Sequence, residues 1–585
     1  MQPLNQTPSW ILSALSGLFL ILIFPQFNLE FLAWFALIPL FFAIQNQSPK
    51  TVASRSFFTG MIFYFFSLNW ITNTLVNYGN IPVILSYLIL ALLAAYLSFY
   101  ISLFCVLTVK WSRSKPVYFF LLAPLVWTSL EYLRSTHMTF GFSWMGLGYS
   151  QFQTLAVIQP AEITGVYGIS ALIVLVNAGL HFFINTLVFN LNEHDALKPS
   201  FRVLGVTTLV VGFWVGWGNW TLDLTRSQIE SSPKIRVAIA QGNIKQHLKW
   251  NKLYQKPTMK VYKELTLQAV KGKPELVVWP EAATPFYYGL DPSGTKYVQD
   301  LAKISGVSLL FGSPYKKTMG EKELVYNRAF LISNQGETID VYDKMHLVPF
   351  GEFVPFRQAL FFIEKMVEII GDFGLGKRAT VFTLNDHKLG VSICYEIIFP
   401  DLVRQPVKNG AEYLVNITND AWFGKSAASY QHISMAALRA VENRTPIVRA
   451  ANTGISGFID ATGQIRNTTQ LFKRQLIVDE IAPNKGPRTF YSKFGDIFSY
   501  LCLALTADHK PRGIPFLSQH YFQDPIKWLR IISTCWSPGF VATTPSISPE
   551  AGAASPSLSS LAKIVIGPSN NAPGSITSAW PRVNE

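Results

Sequence analysis

"GVSICYEIIFPD", residues 390–401, is the stretch on which the fold turns. Gly390 to Ile393 form a β-favouring run that stops at Cys394, Tyr395 and Glu396 follow at once, and Pro400 closes the apolar segment. A strand that ends on a reactive side chain suits a layered α/β domain, because strand ends hold side chains rigidly beside variable loops. Taken alone, Cys394 also suits the buried small residue that fills cores. Its neighbours have to decide.

Outward from that point the texture repeats. From about residue 234, strand-like runs alternate with turns and helical segments: "KIRVAIAQGN", "ELVVWPEAA", "GVSLLFGSP", "RAFLISNQG", "ETIDVYDK", "KLGVSICYE" and "AEYLVNITND". "SYQHISMAALRAVENR" has the spacing of an amphipathic helix. Glu281 after "ELVVWP" and Lys344 after "IDVYD" take the same strand-end position as Cys394. Each has an ordinary reading too, Glu281 as a helix cap or solvated carboxylate and Lys344 as half of an ion pair with Asp343.

Toward the N-terminus the chain is of another kind. Only 14% of its 585 residues are charged, and mean hydropathy is +0.25. A crossing needs about 20 apolar residues at about 1.5 Å rise each. Such runs lie near 9–26, 29–46, 56–75, 82–109, 116–133, 167–189 and 203–220, with a weaker eighth at about 490–508. Lys50, Arg55, Lys110, Arg113, Lys115, Lys198 and Arg202 fall in the even-numbered connections, whereas 134–166 holds only Arg134. The positive-inside rule then puts the N-terminus in the cytoplasm and residues 221–488 outside it. Between 135 and 165 the chain is aromatic but broken by Gly and Pro, and reads either as a re-entrant segment or as an interfacial loop.

Several classes fall away. The net charge of +14 comes from scattered Lys and Arg, not one basic block, so nucleic-acid binding is not expected. Cys105, Cys394, Cys502 and Cys535 have no redox or zinc spacing. His346 and His432 lack a suitably spaced third ligand, so neither a metal nor another cofactor is expected. Residues 537–585, rich in Ser, Pro, Ala and Gly, read as disordered.

"WPEAA", "YDKMHLVPFGEFVP", "SICYEIIFPD", "NITNDAWFG" and "RAVENRTPIVRAANTG" together resemble the carbon–nitrogen hydrolase (nitrilase) family. The multi-span N-terminal half narrows the resemblance to the apolipoprotein N-acyltransferases, over about residues 5–508. It implies a bundle of about eight spans joined to an α-β-β-α sandwich. The expected division is a membrane part over 1–220, an extracytoplasmic catalytic part over 221–488, a last crossing over 489–508 and a cytoplasmic tail over 509–585. The resemblance further implies a triad of Glu281 as base, Lys344 as oxyanion stabiliser and Cys394 as nucleophile. Glu352 and Glu396 would support it, with Glu352 orienting Lys344, and Trp250 and Tyr395 would contact substrate.

The implied reaction moves a fatty acyl chain from a phospholipid to a diacylglyceryl apolipoprotein, by a monomeric enzyme in the bacterial inner membrane. Residue chemistry is compatible: a thiol with an ordinary pKa of about 8.5 needs a base or a nearby cation to become a nucleophile at neutral pH. A water-excluding lid is expected near 250, 285–290 or 421–424. Two rivals remain: a membrane-tethered amidase with the same triad, and a transporter, which the scarcity of charges in the spans disfavours.

Overall fold

The computed structural model describes residues 9–115, 117–136, 141–189, 194–319, 322–349, 351–353 and 373–508. The expected tail, 509–585, lies outside them, as does much of the stretch after Glu352.

Up to residue 231 the described residues are mainly helical. Helices run over Ser9–Leu22, Ile38–Ile44, Pro49–Ser67, Trp70–Asn77, Val83–Ser112, Val117–Thr136, Val166–Phe189 and His194–Ser231. Local chemistry sets some of the starts: Ser48 caps Pro49–Ser67 by accepting from the Thr51 N–H at 3.3 Å, with proline in the first turn. Among the described residues, three helices can cross a membrane by length and composition, over 83–112, 166–189 and 197–231. Ser9–Leu22 and Ile497–Ala507 are apolar but have 14 and 11 residues, each short of the roughly 30 Å hydrocarbon layer at about 1.5 Å per residue. The run expected over 29–46 divides into a 3-10 turn, Glu30–Trp34, and the seven-residue helix Ile38–Ile44. His194–Ser231 continues unbroken past residue 220.

Two six-stranded sheets follow. The first has the order β12-β1-β2-β3-β4-β5 and the second β11-β10-β9-β8-β7-β6. The strands are β1 Ile235–Gln241, β2 Leu276–Val278, β3 Ser308–Met319, β4 Lys322–Ile332, β5 Thr338–Asp343, β6 Val381–Leu384, β7 His387–Ile393, β8 Tyr413–Thr418, β9 Ile447–Ala451, β10 Gly457–Ile459, β11 Ile465–Arg466 and β12 Gln475–Ile481. Parallel pairs β1/β2, β2/β3, β7/β8 and β8/β9 lie at the sheet centres, with antiparallel strands outside.

Val237, Ile239 and Leu310 of the first sheet share one core with Val391, Val415 and Val448 of the second, which makes the sheets a sandwich. Helices Lys252–Ala269 and Pro292–Ser305 cover the first sheet's outer face through Met259, Leu265, Val298 and Leu301. Asp291 and Pro292 start the second of these helices, and Gly306 at φ +67° ends it. Helices Pro400–Lys408 and Ala428–Asn443 cover the other sheet. The layers are α-β-β-α.

That last layer is also where the helical half sits. Ile433, Ala436, Leu438 and Val441 share one core with Trp144, Tyr149, Ile158 and Val166. The Trp144 indole N–H donates to Gln431 at 2.8 Å, the Val166 N–H to Glu442 at 2.9 Å, and Arg444 to Glu162 at 2.8 Å. Helix Ala428–Asn443 is therefore buried on nearly all sides, not amphipathic as its spacing predicts, because the bundle covers its polar stripe. Residues 143–151, which end in the 3-10 turn Leu147–Gln151, are buried in this joint.

Candidate active site

β2 ends at Val278, and three residues later the chain delivers Glu281. The turn there is tight, with Ala282 at φ +47°. Gly312 of β3 makes it possible: a Cβ at 312 would stand 2.5 Å from the Ala282 nitrogen and 2.8 Å from Glu281 Cα. Glu281 is 6% exposed. Its Oε1 accepts from Asn327 Nδ2 at 2.7 Å, and its Oε2 has no hydrogen-bond partner among the described residues.

Lys344 directly follows β5. Pairing of β4 with β5 sets Arg328 opposite Asp343, so Asn327 falls beside Lys344, whose N–H donates to the Asn327 carbonyl at 2.9 Å. The ammonium lies 2.8 Å from Glu352 Oε2 and 3.8 Å from Glu281 Oε1. Glu352 is fixed in turn by the Val348 N–H at 2.9 Å and by Asn327 at 3.2 Å. Burial opposes the charge on Lys344, but Glu352 and then Glu281 outweigh it and push its pKa above the ordinary value. Lys344 is a fixed cation.

Cys394 follows β7 and opens a 3-10 turn, Cys394–Ile398. At φ +54° it occupies the left-handed region, where a non-glycine residue stores strain of about 1–3 kcal/mol. Burial, then the charge of Glu281, pushes its thiol up to about 12, with Lys344 and Thr418 pulling the other way. The resting sulfur is therefore protonated at neutral pH, and its ionisation requires a base. Glu281 and Lys344 come from one sheet and Cys394 from the other, and all three interact electrostatically.

Glu396 is fully buried. Its carboxylate accepts from the Tyr342 hydroxyl at 2.9 Å, the Met345 and His346 N–H groups at 2.6 and 3.1 Å, and the Ile393 N–H at 2.7 Å. Burial nonetheless pushes its pKa up to about 7 against those bonds. It ties the strained Cys394 turn to the Lys344 loop across the sandwich.

Tyr395 is half-buried, its ring 6.4 Å from Trp144 and 5.1 Å from Phe399. Trp250 is 52% exposed, unlike the buried Glu281 and Lys344. The His346 ring lies 4.0 Å from that of Phe399, tilted at 43°, and His432 is held by Asp420 at 3.1 Å. Two expected lids are otherwise employed. Phe286 and Tyr288 are core residues, and the 421–424 turn is fastened by Asn73 and Thr74 to the Trp422 carbonyl and by Tyr78 to that of Ala421.

Residues given no role in the motif reading complete the site. Asn327 bridges both carboxylates, and its mark in sequence is a lone amide inside the apolar run of β4. Behind Thr418, Asp420 accepts from Thr418 at 3.0 Å and from the buried Arg449 at 3.1 Å. Arg449 stands out as one cation in the apolar β9. Lys249, 2% exposed, donates to the Glu281 carbonyl at 3.1 Å, and only its position before Trp250 marks it in the sequence.

Comparison with known proteins agrees with this two-part construction. Residues 16–179 match the model of the apolipoprotein N-acyltransferase N-terminal domain, and residues 236–486 match that of carbon-nitrogen hydrolase. The apolipoprotein N-acyltransferase of Geobacter metallireducens is 40% identical over 496 residues, covering 85% of this chain and 93% of that protein. The chain belongs to the apolipoprotein N-acyltransferase family. Relatives of the same name in Pasteurella multocida and Haemophilus ducreyi are each 31% identical, covering 84% of this chain and 93% and 95% of theirs. The family thus spans both the helical half and the sandwich, and it is an enzyme family.

Proposed function

We propose that the protein transfers a fatty acyl chain from a membrane phospholipid, through a thioester on Cys394, to the N-terminal amine of a diacylglyceryl-cysteine apolipoprotein. Family membership supports the reaction class. What most supports the residue roles is the free Oε2 of Glu281 in electrostatic reach of a buried, protonated Cys394 thiol, with a permanently charged Lys344 between the carboxylates.

In the first half-reaction Glu281 takes the Cys394 proton while the sulfur attacks the ester carbonyl of the phospholipid. The carbonyl oxygen becomes an oxyanion, and Lys344 stabilises it; one well-placed donor of this kind is worth about 3–4 kcal/mol. The ester C–O bond then breaks, Glu281 returns the proton to the departing lysophospholipid oxygen, and an acyl thioester remains. In the second, the acceptor amine attacks the thioester, Glu281 accepts an amine proton, the C–S bond breaks, and the proton passes back to the sulfur. Glu352 orients Lys344, and Glu396 braces the turn that presents the sulfur. Trp250 and Tyr395 contact the lipid chains, an aromatic role suited to an apolar ligand with a polar head.

The proposed setting is the bacterial inner membrane, with the protein a monomer, its N-terminus cytoplasmic and the sandwich periplasmic. The proposed domain division is that of the sequence reading, 1–220, 221–488, 489–508 and 509–585. Eight crossings are proposed, the three long helices and the runs near 9–26, 29–46, 56–75, 116–133 and 490–508.

Purified protein incubated with phospholipid labelled in its acyl chain should carry a hydroxylamine-sensitive label on Cys394, discharged by a diacylglyceryl-cysteine peptide. Cys394→Ala should carry none. Equal labelling of that variant would place the nucleophile elsewhere, and labelling by short amides alone would favour an amidase.

A further inference from the structure

Lys344 is engaged on both sides by carboxylates, which leaves the site with a charge problem. Glu281 and Glu352 bring two negative charges and Lys344 one positive. Moving the Cys394 proton to Glu281 changes no net charge, but it places a new anion on sulfur beside a cation already committed to Glu352. A second cation would make the group neutral before and after the transfer.

Lys249 stands where that cation is needed. It ends the turn Gln246–Leu248, and its loop is strapped to the strand ends of the second sheet. Asn419 donates to Gln246 at 2.6 Å, Asn452 donates to the Ile244 carbonyl at 2.8 Å, and the Asn243 N–H donates to the Asn452 carbonyl at 2.9 Å. Lys245 and Lys252 on the same stretch point to solvent, whereas Lys249 is buried with its ammonium on the Glu281 carbonyl. The groups whose negative charge acts on it are Glu281 and, once ionised, Cys394.

We propose that Lys249 is a positioning residue of the acyl-transfer site, whose ammonium holds the Glu281 turn and offsets the charge on Cys394 sulfur when Glu281 removes its proton. This rests on the reading of Cys394 as the nucleophile. The coupling is reciprocal: a sulfur anion that strengthens proton binding at Lys249 is itself stabilised, to the same extent, by the Lys249 proton. Burial lowers the Lys249 pKa to about 8, and Glu281 and Cys394 raise it. Unlike Lys344, Lys249 therefore loses its charge within an accessible pH range, and above that range sulfur ionisation loses its partner.

The test is alkylation of Cys394 by iodoacetamide in the full-length protein from pH 6.5 to 9.5, with the modified peptide followed by mass spectrometry. For the wild type, the logarithm of the rate should climb with pH, flatten near pH 8 and climb again. Lys249→Arg, charged throughout, should keep the rate at pH 7.5 and lose the flattening. Lys249→Met should lower that rate about tenfold, the size of one unit in thiol pKa. A flattening that persists in Lys249→Arg, or wild-type rates in Lys249→Met, would overturn the proposal. Should Lys249→Met fail to fold, wild type against Lys249→Arg still decides. Alkylation needs no lipid, so a Lys249-dependent profile without any acyl label on Cys394 would retire the acyl-transfer reading and leave the electrostatic link standing.

Discussion

Glu396→Gln tests whether the carboxylate behind the Cys394 turn governs the proposed nucleophile. The wild-type carboxylate receives four donors, and every one of them needs an acceptor. An amide has one oxygen. If it faces Met345 and His346, its NH2 group meets the Ile393 N–H at a position where the oxygen now accepts at 2.7 Å. One charge-assisted bond is lost, worth about 1.5–3 kcal/mol, and a buried N–H is left unpaired at about 1–3 kcal/mol. The total, about 2.5–6 kcal/mol, is a large fraction of a domain's stability. Ile393 immediately precedes the residue at φ +54°, so the lost brace lets the Cys394 turn relax. A displacement of about 1 Å at a reacting atom costs roughly 100-fold in rate. The assay is the initial rate of hydroxylamine-sensitive acylation of Cys394, alongside denaturant unfolding in the same detergent. A variant that acylates at the wild-type rate with an unchanged unfolding midpoint would refute the bracing argument.

Two further substitutions probe the other side of the site. Gly312→Ala should displace Glu281 by forcing a methyl into a 2.5 Å gap, cutting acylation by about tenfold or more while helices and sheets persist by circular dichroism; undiminished acylation would mean the base is not held by this contact. Burial tends to raise the Asp420 pKa, but Arg449 and His432 overcome it and hold the carboxyl at about 2. Its stabilising contribution is therefore complete above its unfolded value near 4 and vanishes as pH falls through 2, about 2–3 kcal/mol in all. Asp420→Asn should be destabilised by that order at pH 7 and should lose less stability than wild type between pH 4 and 2 in denaturant titrations, whereas equal slopes would contradict the linkage.

Much of the sandwich can be read from short-range signals. Asp291-Pro292 and Gly306 punctuate one helix, and the apolar runs ending at Trp279-Pro280, Asp343 and Ile393 deliver Glu281, Lys344 and Cys394 at adjoining strand ends. Illegible are the features that depend on what lies across a layer. The stripe Gln431, His432, Arg439 and Glu442 looks solvent-facing at helical spacing, yet it is buried because another half of the same chain covers it. Phe286 and Tyr288 look like lid aromatics until helix Pro292–Ser305 closes over them. Asn327 and Lys249 gain their importance from register and loop path, which no local pattern encodes.

One bond in the joint between the halves reaches the turn at Cys394 directly. The Ser143 hydroxyl donates to the carbonyl of Ile398 at 2.8 Å, and Ile398 is the last residue of the turn that Cys394 begins. The sulfur is thus four residues from a strut planted in the helical half. Lateral pressure, acyl-chain melting or a thinner host bilayer, by shifting that strut, would retune nucleophilicity with no ligand bound, so turnover measured in micelles and in vesicles should differ even at equal substrate density.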